Sequence, residues 1–421
     1  MTLAFLASRK GYLKVMGSLI QAALDRGHRV VLLRDPRQGK PGEATVDTDF
    51  SAWPAARQVD YPWGAPLGPV LKAQGAAALV APSLHLLLVA MGRADEATAL
   101  KASGLRLYSV DYAFETVTSD PDGYRLIDVT FYQSAFQREL HWGQPRYREW
   151  AADFSVLRGE MDLAAHSAVS GSTMLDQLAL VMDRRGLRRR HGLPLDGPVV
   201  LFMSLKMDVG GGERRLVWGG SPAPWRAVRA MVAGRAALVG EIRAGNPYRT
   251  FVASVRDFCR RHGAALVVKS REKNRDPGFV RRMADILVDR DDEVFPYTSL
   301  QLMATADLCV HFQSGAVLEA AQCGVPSLSV KVPPPYAPDL PAYEETWEAR
   351  PGSLQNWKGL VWSSGLAEAS SLLSSAKLGD FAVDPEARRR YVERYLGFDD
   401  TRSSERVLDA IERDTAVGGP A

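Results

Sequence analysis

Short apolar runs bounded by polar turns recur along the chain, and helical periodicity fills the intervals between them. Residues 3–7 (LAFLA) are such a run. A polar loop follows at Ser8, Arg9, Lys10 and Gly11. Residues 14–26 carry apolar positions at helical spacing, Gly27 ends that pattern, and 28–33 is apolar again. Strand, loop, helix and strand in that order specify a parallel pair, because parallel strands need a crossover connection. Further strands are predicted at 78–80, 106–110 and 126–132. The pattern restarts in the second half, with strands predicted at 199–203 and 265–268 and a helix over 279–288. A short helix over 300–306 and a charged helical tail over 385–414 follow. Parallel sheets bind ligands outside the carboxyl ends of their strands. In the first half that selects the loops 8–11, 83–85 and 111–115.

The most informative stretch is 304–330, ATADLCVHFQSGAVLEAAQCGVPSLSV. It predicts a strand over 308–312, a turn at Gln313, Ser314 and Gly315, a helix over 316–322, and a second strand after Cys-Gly-Val-Pro. A strand that stops at Ser-Gly and feeds a helix is expected to leave bare backbone N–H groups at the helix start. Those donors, with the positive end of the helix dipole, suit a phosphate. Glu319 stands one turn further on, where a ribose diol can be accepted. An ordinary βαβ unit with a capped helix has the same pattern, and this stretch alone does not separate the two.

Length and composition narrow the classes. A chain of 421 residues accommodates two domains. A net charge of +3 implies no particular partner. The three cysteines, Cys259, Cys309 and Cys323, match no zinc or redox spacing and read as reduced core residues of a cytoplasmic protein. Arg9 and Lys10 interrupt the apolar N-terminus too early for a signal peptide. No run approaches the roughly 18 apolar residues that span a bilayer. The basic Gly/Pro segment RRGLRRRHGLPLDGP, 184–198, is the predicted linker. It separates a domain over 1–183 from one over 199–380, with a helical tail over 381–421. Its arginines lack interleaved aromatics, which favours a solvated hinge over a nucleic-acid patch. Residues 208–249 are too long for a simple crossover. They read as a structural insertion, a cover, or a rim for peripheral membrane contact through Trp218, Trp225, Arg226 and Arg229.

Several second-half loops are expected on one sheet edge: Ser204 after the first strand, Lys269 and Arg271 after the second, Tyr297 and Thr298 before a short helix, and Ser314 and Gly315 before the key helix. Cations, a helix start and a carboxylate together suit a diphosphate-ribose group. At this point the residues resemble a known superfamily. The stretch 8–33, the run VSGSTMLD (169–176) with the following LRRRHGLPLDGPVVLFMSL, and 304–330 are similar to GT-B fold glycosyltransferases of the bacterial surface-polysaccharide type. They are related in pattern to polyol-phosphate transferases and to UDP-N-acetylglucosamine 2-epimerases. The resemblance implies an α/β protein of two Rossmann-like parallel-sheet domains facing a central cleft. The C-terminal helix would return to the first domain.

The resemblance further implies a nucleotide-sugar donor held by the second domain and a glycan or lipid-linked acceptor held by the first, at the loop Ser8, Arg9, Lys10, Gly11. No cofactor and no nucleic acid are implied. Ser314 and Gly315 would contact the diphosphate, Glu319 the ribose, and Tyr297 and Thr298 the base. A second glutamate found in retaining members is missing after Glu319, which favours inversion. His311, Phe312, Gln313 and Ser314 replace an Asp-Tyr-Ser-Ser run, and Lys269, Ser270, Arg271 replace Lys-x-His-Pro, which argues against the polyol-phosphate subfamily. Lys269 and Arg271 would stand in for a metal. The catalytic base is expected from a first-domain strand end, with Asp111 ahead of His85 and Glu115. An epimerase on the same donor, a polyol-phosphate transferase and a non-catalytic nucleotide-sugar scaffold stay open as alternatives. The location implied is the cytoplasm, at or near the inner face of the membrane.

Overall fold

A computed structural model describes residues 1–7, 10–34, 50–61, 65–84, 88, 93–111, 121–143, 160–181, 183–204, 247–270, 276–289, 293–331 and 348–417. The chain divides into two compact units. The first comprises residues 1–181, 292–300 and 391–421, and the second 182–291 and 301–390.

The first unit is built on a seven-stranded sheet of β1 (Thr2–Ala7), β2 (Arg29–Arg34), β3 (Arg57–Asp60), β4 (Ala78–Pro82), β5 (Arg106–Val110), β6 (Val129–Tyr132) and β7 (Ser167–Val169). Every neighbouring pair is parallel, and the order is β3-β2-β1-β4-β5-β6-β7. Leu3 pairs with Val30 on one side and Ala78 on the other, so β1 is central. A strand flanked by strands and covered on both faces is apolar throughout, which is why residues 3–7 read as a continuous run.

Helix α1 (Lys10–Asp25) lies on this sheet, and the C-terminal helix α2 (Ser403–Val417) lies on α1. Val407, Leu408 and Ile411 join the core of the first unit. The start of α2 is held by Asp176, whose carboxylate accepts the N–H groups of Ser403 at 3.0 Å and Ser404 at 2.5 Å. Those donors have no partner inside the helix, so a buried carboxylate at this position is a cap.

The second unit contains β8 (Val199–Met203), β9 (Ala265–Lys269), β10 (Ile286–Val288), β11 (Leu308–His311), β12 (Ser327–Val330) and β13 (Val361–Ser364). The sheet is six-stranded and parallel, in the order β10-β9-β8-β11-β12-β13. The predicted helix over 279–288 stops at Met283, and its last residues form β10. Asp285 explains the break: its carboxylate accepts the Leu266 N–H at 2.8 Å and pairs with Arg256 at 2.5 Å. That contact turns the following apolar triplet into register with β9.

Where a linker is expected, a helix covers Arg184–Arg190. Asp183 caps it through the N–H groups of Arg185 and Gly186, both at 2.9 Å. Arg188 is buried and donates to the carbonyls of Pro194, Leu195 and Gly197. Part of the basic run is therefore a structural staple within the second unit.

Replacing Asp176 by Ala leaves two buried N–H groups unsatisfied. The variant is expected to lose about 2 kcal/mol of stability, read as a lower urea midpoint by circular dichroism. An unchanged midpoint would remove this cap from the account of how α2 is anchored.

Candidate functional site

Both sheets share one winding rule. The chain starts at a central strand, moves outward, then returns to the other side of that strand and moves outward again. The switch falls between β1 and β4 in the first unit and between β8 and β11 in the second. Ligands of open α/β sheets bind at this point, outside the carboxyl ends of the strands.

In the second unit the sheet edge gathers Ser204, Lys269, Ser314 and Gly315. Ser204 follows β8, Lys269 ends β9, and Ser314 and Gly315 follow β11. Gly315 is exposed and Ser314 is half-buried. Their bend departs from a row of bare amides. The Ser314 N–H donates to His311 Nδ1 at 3.4 Å, and Ser314 Oγ accepts the Ala316 N–H at 3.3 Å. The Val317 and Leu318 N–H groups go to the carbonyls of Ser314 (3.2 Å) and Gly315 (3.0 Å). A tight first turn and a serine side chain thus use up the donors a longer, uncapped helix would expose. Among the described residues only the Gly315 N–H of this bend lacks an acceptor, and open space surrounds its Cα. The helix that follows, α3 (Ala316–Gln322), has seven residues.

The bend is fixed from two sides. Gln355, fully buried, donates to the Ser314 carbonyl at 3.3 Å and accepts the Ser329 hydroxyl at 2.7 Å. His311 is also fully buried, and burial pushes its pKa down to about 3, so its imidazole is neutral. Since Nδ1 accepts, the proton sits on Nε2. Gln313, between them, is held at a positive φ of 39°.

Lys269 and Ser204 are buried rather than solvated, and they meet a residue that sequence reasoning missed, Asp276. The Ser270 hydroxyl donates to its carboxylate, and Ser204 lies close enough to help hold its charge. Burial raises the Asp276 pKa; the two hydroxyls and the charges of Arg281 and Lys269 oppose the rise. Lys269 Nζ donates to the Ser270 carbonyl at 2.8 Å. No spacing signal could have joined Asp276 to β8, because the contact depends on strand order. Glu319 is buried, close enough to Cys309 and Cys323 to add to the burial that pushes both thiols up, Cys323 to about 12.

Tyr297 and Thr298 belong to the first unit. Tyr297 is fully buried, its N–H donates to Gln177 Oε1 at 3.1 Å, and Lys14 Nζ lies 5.2 Å from its ring centre. The Thr298 N–H donates to the Glu293 carbonyl at 3.3 Å.

In the first unit Asp111 follows β5 and is buried. Its N–H donates to the Phe131 carbonyl at 2.9 Å, and its Oδ1 accepts the Ser109 hydroxyl at 3.3 Å. Ser109 Oγ in turn accepts the Leu84 N–H at 3.0 Å, next to Ser83, which has a positive φ of 46°. Each unit therefore holds a non-glycine residue in the left-handed region just beyond the strand after its switch, the kind of strain that gathers at functional sites. His141, which sequence reasoning also missed, places Nδ1 at 3.3 Å from Asp111 Oδ2. Lys10 and Gly11 open α1 beyond the end of β1. Ser8, Arg9, His85, Glu115, Arg271, Trp218, Trp225, Arg226 and Arg229 lie outside the described residues.

No protein-family model and no curated protein matches the chain. Solved structures do. A UDP-GlcNAc 2-epimerase from Neisseria meningitidis bound to UDP-GlcNAc superposes with a TM-score of 0.59 at 10% identity, covering 98% of this chain and 100% of that one. The glycotransferase of kitacinnamycin gives 0.51 at 16% identity, covering 98% of both chains. The wall teichoic acid polymerase TagF gives 0.53 at 10%, covering 99% of this chain and 89% of its own. The fold is GT-B. At such identities the likeness is one of architecture, and the GT-B frame leaves chemistry to the loops. Among the described residues no helix is long and apolar enough to cross a membrane.

A neutral buried His311 gives the chain a defined acid response. Its folded pKa lies below the unfolded value of 6.5, so the unfolded state binds the extra proton and stability falls as pH drops from about 6.5 toward about 3. This residue alone contributes at most about 5 kcal/mol to that fall. Urea unfolding at stepped pH should show a shallower slope for His311→Gln in that window; an equal slope contradicts the assignment.

Proposed function

We propose that the protein is a glycosyltransferase that moves a sugar from a nucleotide-activated donor to a glycan or lipid-linked acceptor with inversion at the anomeric carbon. The observation that carries this reading is the convergence of Ser204, Lys269, Ser314 and Gly315 on the switch-point edge of a GT-B sheet. The free Gly315 N–H and the Ser314 hydroxyl serve the diphosphate. Lys269, with Arg271, supplies positive charge for the leaving group. Glu319 is assigned to the ribose. In the first unit Asp111 is assigned as base. It takes the proton from an acceptor hydroxyl as that oxygen bonds to the anomeric carbon, and the bond from that carbon to the donor phosphate breaks with its electron pair leaving on the nucleoside diphosphate. Lys10 and Gly11 belong to the acceptor side.

A second reading, sugar epimerisation on the same donor, is favoured by the solved structure of similar fold that holds UDP-GlcNAc. Product analysis separates the two. A changed sugar on the nucleotide without an acceptor supports epimerisation, whereas nucleoside diphosphate released in proportion to acceptor glycosylated supports transfer.

Screening UDP-, GDP-, CDP- and CMP-linked sugars by thermal shift should reveal one class that protects the protein, by about 2.7 kcal/mol at a hundredfold excess over Kd. Protection by none of them sinks the donor assignment. Gly315 has a φ of −59°, which proline adopts, so Gly315→Pro removes the free N–H with little backbone change. It should weaken the protecting donor about tenfold or more, while Gly315→Ala does not. Asp111→Asn should cut turnover by about 100-fold or more and leave donor protection intact; wild-type turnover would exclude Asp111 as base.

A further inference from the structure

His141 is the buried titratable group that the proposed chemistry leaves without a task. It sits in the last turn of the helix Ala135–Gly143, 2% exposed, and Asp111 beside it is 4% exposed. Its Nδ1 stands at ion-pair distance from Asp111, yet neither ring nitrogen has a well-formed hydrogen bond. Two buried ring nitrogens in that state are costly, and a small rotation of the ring puts Nδ1–H onto Asp111 Oδ2. Tyr132, from β6, meets the imidazole edge to face at 5.4 Å, and its hydroxyl already contacts Tyr124 at 3.3 Å and Trp142 Nε1 at 3.0 Å. Burial keeps the Tyr132 phenol neutral. From β5, Ser109 donates to the other carboxylate oxygen. Asp111 thus accepts a hydrogen bond at Oδ1 from the strand that precedes it, and at Oδ2 it faces His141 on a helix from further along the chain.

We propose that His141 is the positioning residue for Asp111: its Nδ1–H turns and holds the carboxylate in the orientation that takes the acceptor proton. The role in turnover rests on the transfer reading; the pairing itself does not. When Asp111 takes the acceptor proton, His141 keeps its own, so the proton ends on Asp111 and returns to solvent after product leaves. A carboxylate that receives a hydrogen bond in its charged form titrates lower than one without it. Removing His141 therefore weakens the base at low pH as well as loosening its geometry.

The pair is tested without turnover by long-range ¹H–¹⁵N NMR of the full chain. In the wild type the proton is expected on Nδ1, its resonance shifted downfield by the carboxylate, and Asp111→Asn is expected to move that Nδ1–H resonance upfield. A His141 whose tautomer and Nδ1–H resonance are alike in both proteins overturns the proposal. On the enzyme, His141→Phe should lower kcat about 100-fold, leave donor protection unchanged, and move the acid limb of kcat/KM to higher pH. His141→Asn, which keeps an N–H near the Nδ1 position, should recover most of the rate. Wild-type kcat and acid limb in His141→Phe overturn it too. A wild type that turns over no donor refutes the transfer reading, and the NMR comparison of the two proteins still decides the pair.

Discussion

The handedness of crossover connections is the constraint on which the rest of this molecule depends. A right-handed crossover carries the chain in one direction across a sheet, so winding in both directions requires a return to the central strand. In the order β10-β9-β8-β11-β12-β13 that return sends the loops after β8 and β11 apart and makes the sheet edge between them the switch point. Ser204 and the Ser314–Gly315 bend occupy that edge for a topological reason, before any side-chain chemistry is considered. The first sheet repeats the rule, which puts Ser83 beyond the end of β4 and Asp111 beyond the end of its neighbour β5.

Polar groups buried at these edges are held by other polar groups from distant segments. Gln355 ties the bend after β11 to Ser329 on β12. Asp276 holds the hydroxyl of Ser270 beside Lys269, with Ser204 close by. Ser109 links the turn after β4 to Asp111. Each arrangement gives up some hydrophobic stabilisation for fixed geometry. The positive φ values at Ser83 and Gln313 point the same way, since such strain persists only where the surroundings over-determine it. Preorganised donors and acceptors of this kind are what a charge-developing reaction requires.

The GT-B frame and the candidate donor edge were legible because their signals are local. Apolar runs, helical spacing and the Ser-Gly turn are written in consecutive residues, and the helix over 316–322 is found at those bounds. The edge strand Ile286–Val288 was not legible, since an apolar triplet after a helix continues the helical pattern until Asp285 finds the Leu266 N–H. The emptiness of the bend was misjudged for a similar reason: whether Ser314 caps its own helix depends on a rotamer, not on residue type.

By itself the sequence determined the alternation of central strands and helices, that the sheets are parallel, and which loops follow those strand ends, because backbone periodicity is set by neighbouring residues; the edge strands β3, β7 and β13 carry too short a pattern to be read. Tertiary structure alone decided that Tyr297 is buried against Gln177 in the first unit, that Asp276 joins Ser204, and that His141 stands beside Asp111. Those pairings join residues far apart in the chain, and only the order in which strands assemble brings them within a hydrogen bond of each other.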